Sequence, residues 1–272
     1  MSREKTQNPT SERYLGFEQG PIRPPSEAYS LLIRTTRNCS WNRCTFCPVY
    51  KGQKFSIRDP EQIKRDVDAV GRQVEMLRSL ADDDGLLTRS ALVEAAGGLG
   101  PEEKDAFSAA VHWAAAGMQS IFLQDANSLI MKPADLAGVL RHIKSRFPWA
   151  ERITSYARSH TLSRISDEEM KMLREAGLTR IHVGMESGSD RVLTLVKKGV
   201  NKQRQIDGGL KVKRAGIELS EYVMPGLGGV ELSREHALQT ADALNQIDPE
   251  FIRLRTLRIF PGLELYGQWQ AG

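Results

Sequence analysis

The sequence predicts an α/β fold in which parallel strands alternate with helices, arranged either as a doubly wound sheet or as an incomplete barrel. Three observations predict it. Six short runs rich in β-branched and aromatic residues recur along the chain, and most are separated by runs with helical caps or apolar spacing. The length of 272 residues fits one such domain. In both architectures ligands sit at the C-terminal ends of the strands.

An N-terminal arm, residues 1–28, comes first. It is polar, carries Pro21, Pro24 and Pro25, and reads as lying on the surface or partly disordered. The core then runs over residues 29–272. "YSLLIRTTRN", residues 29–38, is the first strand. A loop holding Cys39, Cys44 and Cys47 follows directly, which puts all three thiols at the C-terminal end of that strand. Residues 57–80 are a long helix, with Asp59 as N-cap, Pro60 at the first helical position, and Ile63, Val67, Val70, Val74 and Leu77 along one face. Residues 81–118, rich in Ala, Gly and acid, read as an insertion of two short helices near 88–96 and 101–116, either a lid or a plain excursion.

From residue 118 the alternation is regular. "QSIFLQD" (119–125) is a strand and "PADLAGVLRHIKSRF" (133–147) a helix opened by Pro133. "RITSYAR" (152–158) is a strand. "SDEEMKMLREAG" (166–177) is a helix with Ser166 as N-cap, Glu169 completing a capping box and Gly177 closing it. "TRIHVGME" (179–186) is a strand, with helical segments from about 188 to 215. "IELSEYVMPG" (217–226) is a strand, "SREHALQTADALNQ" (233–246) a helix, and "EFIRLRTLRIF" (250–260) the last strand.

The net charge of +4 is mild, and no run of five or more Lys or Arg occurs, so charge alone does not imply nucleic acid. No stretch of ~18 apolar residues suggests a membrane span, and the N-terminus has no apolar core for a signal peptide. The only three cysteines cannot form a disulfide framework, so a reducing cytoplasm is the expected setting.

Clustered in a polar loop, these cysteines are not packing residues. A closed zinc site needs four Cys or His ligands, and the nearest histidine, His112, is far off in the insertion. A four-iron cluster held by only three thiolates fits better, because one iron then keeps an open site for a small molecule.

With Phe46 just before Cys47, this loop after the first strand of a βα array resembles the radical S-adenosylmethionine (SAM) superfamily. The spacing here is C-x4-C-x2-C, one residue longer in the first gap than is usual there. "GMESG" (184–188) followed by "KKG" (197–199), the glycine run "PGLGG" (225–229) and "FPGLELYG" (260–267) extend the likeness over roughly residues 30–262. They are similar to the branch of coproporphyrinogen oxidases and tRNA-modifying enzymes.

The resemblance implies a partial (β/α)6 TIM-type barrel with a [4Fe–4S] cluster at its C-terminal face, bound by Cys39, Cys44 and Cys47. SAM would chelate the open iron through its amino and carboxylate groups. Its reductive cleavage would give a 5′-deoxyadenosyl radical that abstracts hydrogen from a substrate. Asp125 is then the candidate for the SAM ammonium, Glu186 for the ribose hydroxyls with Ser187 nearby, and Lys198 for the carboxylate, with Lys197 competing. Val223 and Met224 would pack on adenine, Phe46 would shield the cluster, and Arg158 would reach the cofactor or an anionic substrate. The substrate would be a small molecule or RNA, and the electron would come from a flavodoxin or ferredoxin. A non-catalytic iron–sulfur or zinc-binding protein is the alternative.

Overall fold

The computed structural model describes residues 14–82 and 85–271. Six strands form one sheet in which every neighbouring pair is parallel: β1 (Leu31–Arg34), β4 (Ser120–Gln124), β5 (Arg152–Ala157), β6 (Leu178–Glu186), β7 (Glu218–Val223) and β8 (Phe251–Leu254). Their spatial order follows their sequence order, and among the described residues no ladder joins β8 back to β1. A short antiparallel pair, β2 (Thr36–Arg37) with β3 (Ser56–Ile57), pinches the base of the cysteine loop.

Residue alternation decides between the two architectures open to the sequence. One face of the first five strands of the sheet is mainly aliphatic: Leu31, Ile33, Ile121, Leu123, Ile153, Ile181, Val183 and Leu219 all belong to the main core under the helices. The other face carries Phe122, Tyr156, His182 and Tyr222, whose rings contact one another across four strands at centroid distances of 5.1–6.2 Å. Side chains meeting across the inner face, with helices on the outer face alone, make a partial (β/α)6 barrel rather than a doubly wound sheet.

The outer layer is α1 (Pro60–Leu80), α2 (Arg89–Gly97), α3 (Pro101–Ala115), α4 (Pro133–Arg146), α5 (Ser159–Leu162), α6 (Asp167–Glu175), α7 (Asp190–Leu195), α8 (Lys202–Arg214), α9 (Ser233–Ile247) and α10 (Glu264–Gln270). The expected signals act as read: Asp59 caps α1, and Ser166 and Glu169 form both halves of the capping box on α6. The inserted helices are α2 and α3. Of these, α3 packs on α1 and β1 and its Trp113 is fully buried, donating to the Ser120 carbonyl at 2.8 Å.

The expectation of a surface arm needs correction for residues 14–28, while residues 1–13 lie outside the described ones. Glu27 is fully buried and plugs the N-terminal end of the barrel, accepting from Ser30 Oγ at 2.5 Å and meeting His182 Nε2 at 3.1 Å. Glu18 binds Arg34 and Arg37, Tyr14 donates to Asp66, and the Gln124 side chain bonds the backbone at Gly20 and Ile22. Polar residues with few apolar neighbours in sequence read as solvent-exposed. Here they are drawn inward by buried partners on β1, β4, β6 and α1.

Candidate functional site

The loop between β2 and β3 carries Cys39, Cys44 and Cys47, each half-buried, at the C-terminal end of β1. Asn38 and Asn42 adopt left-handed backbone, with φ of 68° and 50°, which Asn tolerates better than most residues. The Asn42 amide donates to the Tyr50 carbonyl, and Asn42 N–H points at Cys39 Sγ at 3.4 Å. The loop therefore holds its own curvature.

Asp125, at the end of β4, anchors this loop. Arg34 donates twice to its Oδ2 (2.9 and 2.7 Å), Asn38 N–H donates to the same oxygen at 3.1 Å, and Tyr50 O–H donates to Oδ1 at 2.6 Å. Asn38 immediately precedes the cysteines and Tyr50 soon follows them. Asp125 is fully buried. Four protein hydrogen bonds thus tie to the loop the carboxylate that the sequence assigns to a ligand ammonium.

A second anchor lies across the mouth at the turn after α7. Trp41 Nε1 donates to the Lys197 carbonyl at 2.7 Å, and Thr45 N–H donates to the Val196 carbonyl at 3.1 Å. The Trp41 ring covers Gly199 so closely that a Cβ there would lie 2.3 Å from it, which explains the glycine after the two lysines. Arg158 stacks on the other side of this contact. Its guanidinium lies 5.0 Å from the Trp41 ring centroid and donates to the Lys198 carbonyl at 2.8 Å. Trp41 was not assigned a task from sequence, since a single aromatic in a polar loop gives no sign of what it covers.

Lys198 turns inward and Lys197 outward. Lys198 Nζ meets Glu186 Oε1 at 3.0 Å with both side chains largely buried, whereas Lys197 reaches the half-exposed Glu264. Burial pulls the Lys198 ammonium down, but Glu186 and the nearby Cys44 thiol more than offset this, and its pKa is raised. Burial pushes the Cys44 and Cys47 thiols up, while Lys198 acts the other way on both and Arg158 on Cys44. Two cations thus stand beside the thiols, where they favour the thiolate form that ligates metal.

Glu186 ends β6 with φ of 64°, left-handed strain in a residue that is not glycine. Its Oε2 is buried with no hydrogen-bond partner. Within electrostatic reach of it, on the helix-facing side of β7, is a residue the sequence did not mark. Glu221 is buried, its Oε2 is also unpartnered, and burial lifts its pKa to about 8 against the pull of Lys198, with Glu186 adding to the rise. In a strand buried on both faces a lone acid gives no motif, so only the three-dimensional neighbours identify it.

Ser187 and Val223 do not face this site. Ser187 is fully buried, its Oγ accepting from Ser189 N–H and meeting His236 Nδ1 at 2.7 Å. Gly188 lets α9 approach, since a Cβ there would sit 2.3 Å from the Gln239 carbonyl oxygen. Val223 belongs to the main core on the helix side of the sheet. These two positions are corrected to supports of the turn that presents Glu186. Met224, one residue on, lies with Phe46, Val192, Val196, Leu227 and Leu265 in a second apolar cluster against Cys44 and Cys47. That cluster is a dry wall beside the thiols.

Among the described residues no three His, Cys, Asp or Glu side chains converge as they would on a single ion. A four-iron cluster spreads its thiolates over separate irons. Three thiols flanked by two cations, an apolar wall and a buried carboxylate oxygen without a partner suit such a cluster together with a polar ligand.

A family model described as the radical SAM superfamily matches residues 33–241. Among curated proteins, a tRNA uridine(34) acetyltransferase of Methanocaldococcus infernus is 25% identical over 108 residues, 39% of this chain and 20% of the relative. An uncharacterized methyltransferase of Pyrococcus horikoshii is 24% identical over 113 residues, 41% of this chain and 24% of the relative. The chain thus spans about a fifth to a quarter of the length of these relatives. Among solved structures, the radical SAM methyltransferase TsrM of Kitasatospora setae, with cobalamin and a [4Fe–4S] cluster bound, has a TM-score of 0.55 at 16% identity, covering 86% of this chain and 38% of that one. Coproporphyrinogen III oxidase HemN of Escherichia coli has a TM-score of 0.53 at 13% identity, covering 85% and 44%. At these identities the likeness is one of fold.

Proposed function

The chain belongs to the radical SAM superfamily, and on that premise we propose that Cys39, Cys44 and Cys47 ligate its cluster and that the β6–β7 side of the barrel mouth holds SAM. It is an enzyme whose cofactors are a [4Fe–4S] cluster and SAM, and like its family it needs a reductant and a substrate. No helix among the described residues is long and apolar enough to cross a membrane. The single observation that carries the proposal is the three-thiol loop locked at both ends, by Asp125 on one side and by the turn at residues 196–199 on the other.

When bound, the reduced cluster and SAM supply a 5′-deoxyadenosyl radical for hydrogen abstraction. The chain's own residues bind, orient and keep out water. Cys39, Cys44 and Cys47 would hold the cluster as thiolates, and a fourth iron without a protein thiolate would be open to SAM. Lys198 offers its ammonium to that carboxylate, and the free Oε2 of Glu186 accepts from the ribose hydroxyls; both are charge-assisted bonds. Phe46 and Met224 give adenine an apolar wall, and water is excluded on the same side. Arg158 keeps positive charge beside the thiolates. Asp125, Ser187 and Val223 are assigned to holding this arrangement rather than to the cofactor. The electron comes from an external carrier such as a flavodoxin or ferredoxin.

Anaerobic reconstitution with iron and sulfide tests the assignment. The protein should bind about four irons per chain, its reduced EPR spectrum should change when SAM is added, and 5′-deoxyadenosine should form. Replacing any one of Cys39, Cys44 or Cys47 with Ala should abolish iron binding. A spectrum indifferent to SAM would count decisively against the open iron, and preferential uptake of zinc would leave only the non-catalytic alternative.

A further inference from the structure

The cofactor reading leaves the β8 side of the barrel unused. β8 is an edge strand, paired with β7 alone. Arg255 N–H continues that ladder to the Val223 carbonyl at 2.8 Å. Tyr222 faces the lumen and is in register with Arg253, so the two-residue period places Arg253 and Arg255 on the lumen side. Arg253 is positioned by Ser220, its Nε donating to Ser220 Oγ at 3.1 Å, and by the Phe251 ring 5.6 Å away. Neither arginine has an acidic partner among the described residues, whereas Arg180, one strand further in, is paired with Glu218.

Two phenols lie within electrostatic reach. Arg255 acts on both Tyr156 and Tyr222, and Arg253 on Tyr222. The Tyr156 hydroxyl makes no hydrogen bond among the described residues, whereas the Tyr222 hydroxyl lies against Ser26. Tyr156 is also within electrostatic reach of Glu186 and of Glu27. Two lumen-facing guanidinium groups without an acidic partner and the Tyr156 hydroxyl form a donor-rich corner, with Glu27 and Glu186 the acids in reach of that phenol.

We propose that this corner binds an anionic group of the substrate, a carboxylate or a phosphate, through Arg253 and Arg255 with Tyr156 as a further donor. Arginine suits such oxygens because its planar fork can meet two at once. A substrate anchored here extends its uncharged part past Tyr156 toward the SAM side. The inference rests on the radical SAM reading only in calling the bound anion part of a substrate. The anion site itself stands on the arginines.

The test therefore uses the full chain without its cluster. Inorganic phosphate is titrated at constant ionic strength and followed by 31P line width. The expected result is a broadened resonance, with affinity reduced about tenfold by Arg255→Gln or Arg253→Gln, the size of one lost charged hydrogen bond. Lys54→Gln, which removes an exposed cation on the cysteine loop, should leave it unchanged. Arg255 is exposed, so its replacement leaves the fold intact, and thermal melting of the variant checks this. Competition by succinate or by a phosphomonoester then separates the two sources of anionic oxygen. Equal broadening in the wild-type chain and both arginine variants would overturn the proposal. So would a single-stranded oligoribonucleotide that binds through Arg255 while free phosphate and succinate do not bind.

Discussion

Asp125 and Glu186 are both buried carboxylates at the C-terminal ends of strands in one sheet, yet the fold treats them in opposite ways. Asp125 accepts four hydrogen bonds from three residues, spread over both oxygens. Glu186 receives one, from Lys198, and its Oε2 has none. Burying a carboxylate is unfavourable by several kcal/mol unless protein groups replace its water. The chain meets that cost in full at Asp125 and only half meets it at Glu186, in a residue that also holds a left-handed backbone. The first carboxylate builds the site, and the second is kept open for a ligand.

The largest effect that could break this contrast is on the first. Asp125→Ala leaves Arg34 and Tyr50 without their acceptor and should lower the stability of the cluster-free chain by about 3–5 kcal/mol, read from denaturant unfolding. If Asp125 instead served a ligand ammonium, stability would barely move and SAM affinity alone would fall. The complementary change, Glu186→Ala, should weaken SAM binding to the reconstituted protein by about 2 kcal/mol with iron content unchanged. Unaltered affinity would remove Glu186 from the site.

How much of this was legible follows from the range of the forces involved. Helix caps are local, so Asp59, Ser166 and Glu169 were readable. The cysteines were readable because metal ligation needs several soft donors close together and few other constraints place them so. The partners of Asp125 are not legible, because a turn aspartate looks the same whether it meets Arg34, Asn38 and Tyr50 or a ligand. Ser187 and Val223 were misread because strand alternation is exact only along a regular strand. The register shift between Gly184 and Glu186 changes which side chains reach the mouth. Trp41, Glu27 and Glu221 act through contacts far apart in sequence, and no local pattern marks them.

The chain just past that shift lies against α9, and Gly188 makes the close approach possible. Gly188→Ala would place a methyl group against the Gln239 backbone, which cannot move without shifting α9. The expected cost is about 1–2 kcal/mol of stability, with a parallel loss of SAM affinity as Glu186 shifts. A variant destabilised with SAM affinity untouched would show that α9 supports the sheet but not the carboxylate.

The smallest effect concerns a third answer to the same problem. Glu221 is buried within electrostatic reach of Glu186 and Lys198, and it meets the cost of burial by holding its proton, with a pKa raised to about 8 from 4.5. Between those values the folded chain binds more protons at this position than the unfolded one. Its contribution to stability is therefore present at low pH and lost as the pH rises toward 8. Lys198 has a raised pKa and stays charged in both states across this window, so it adds no slope of its own. Glu221→Gln keeps the neutral shape at every pH. Its unfolding free energy, measured by urea between about pH 5 and 8, should decline less steeply than that of the wild-type chain, and the variant should gain relative stability toward pH 8. Parallel pH profiles would mean that Glu221 is already ionised in the folded state. Lys198 would then face two carboxylates, and Glu186 would no longer be the acid left open for a ligand.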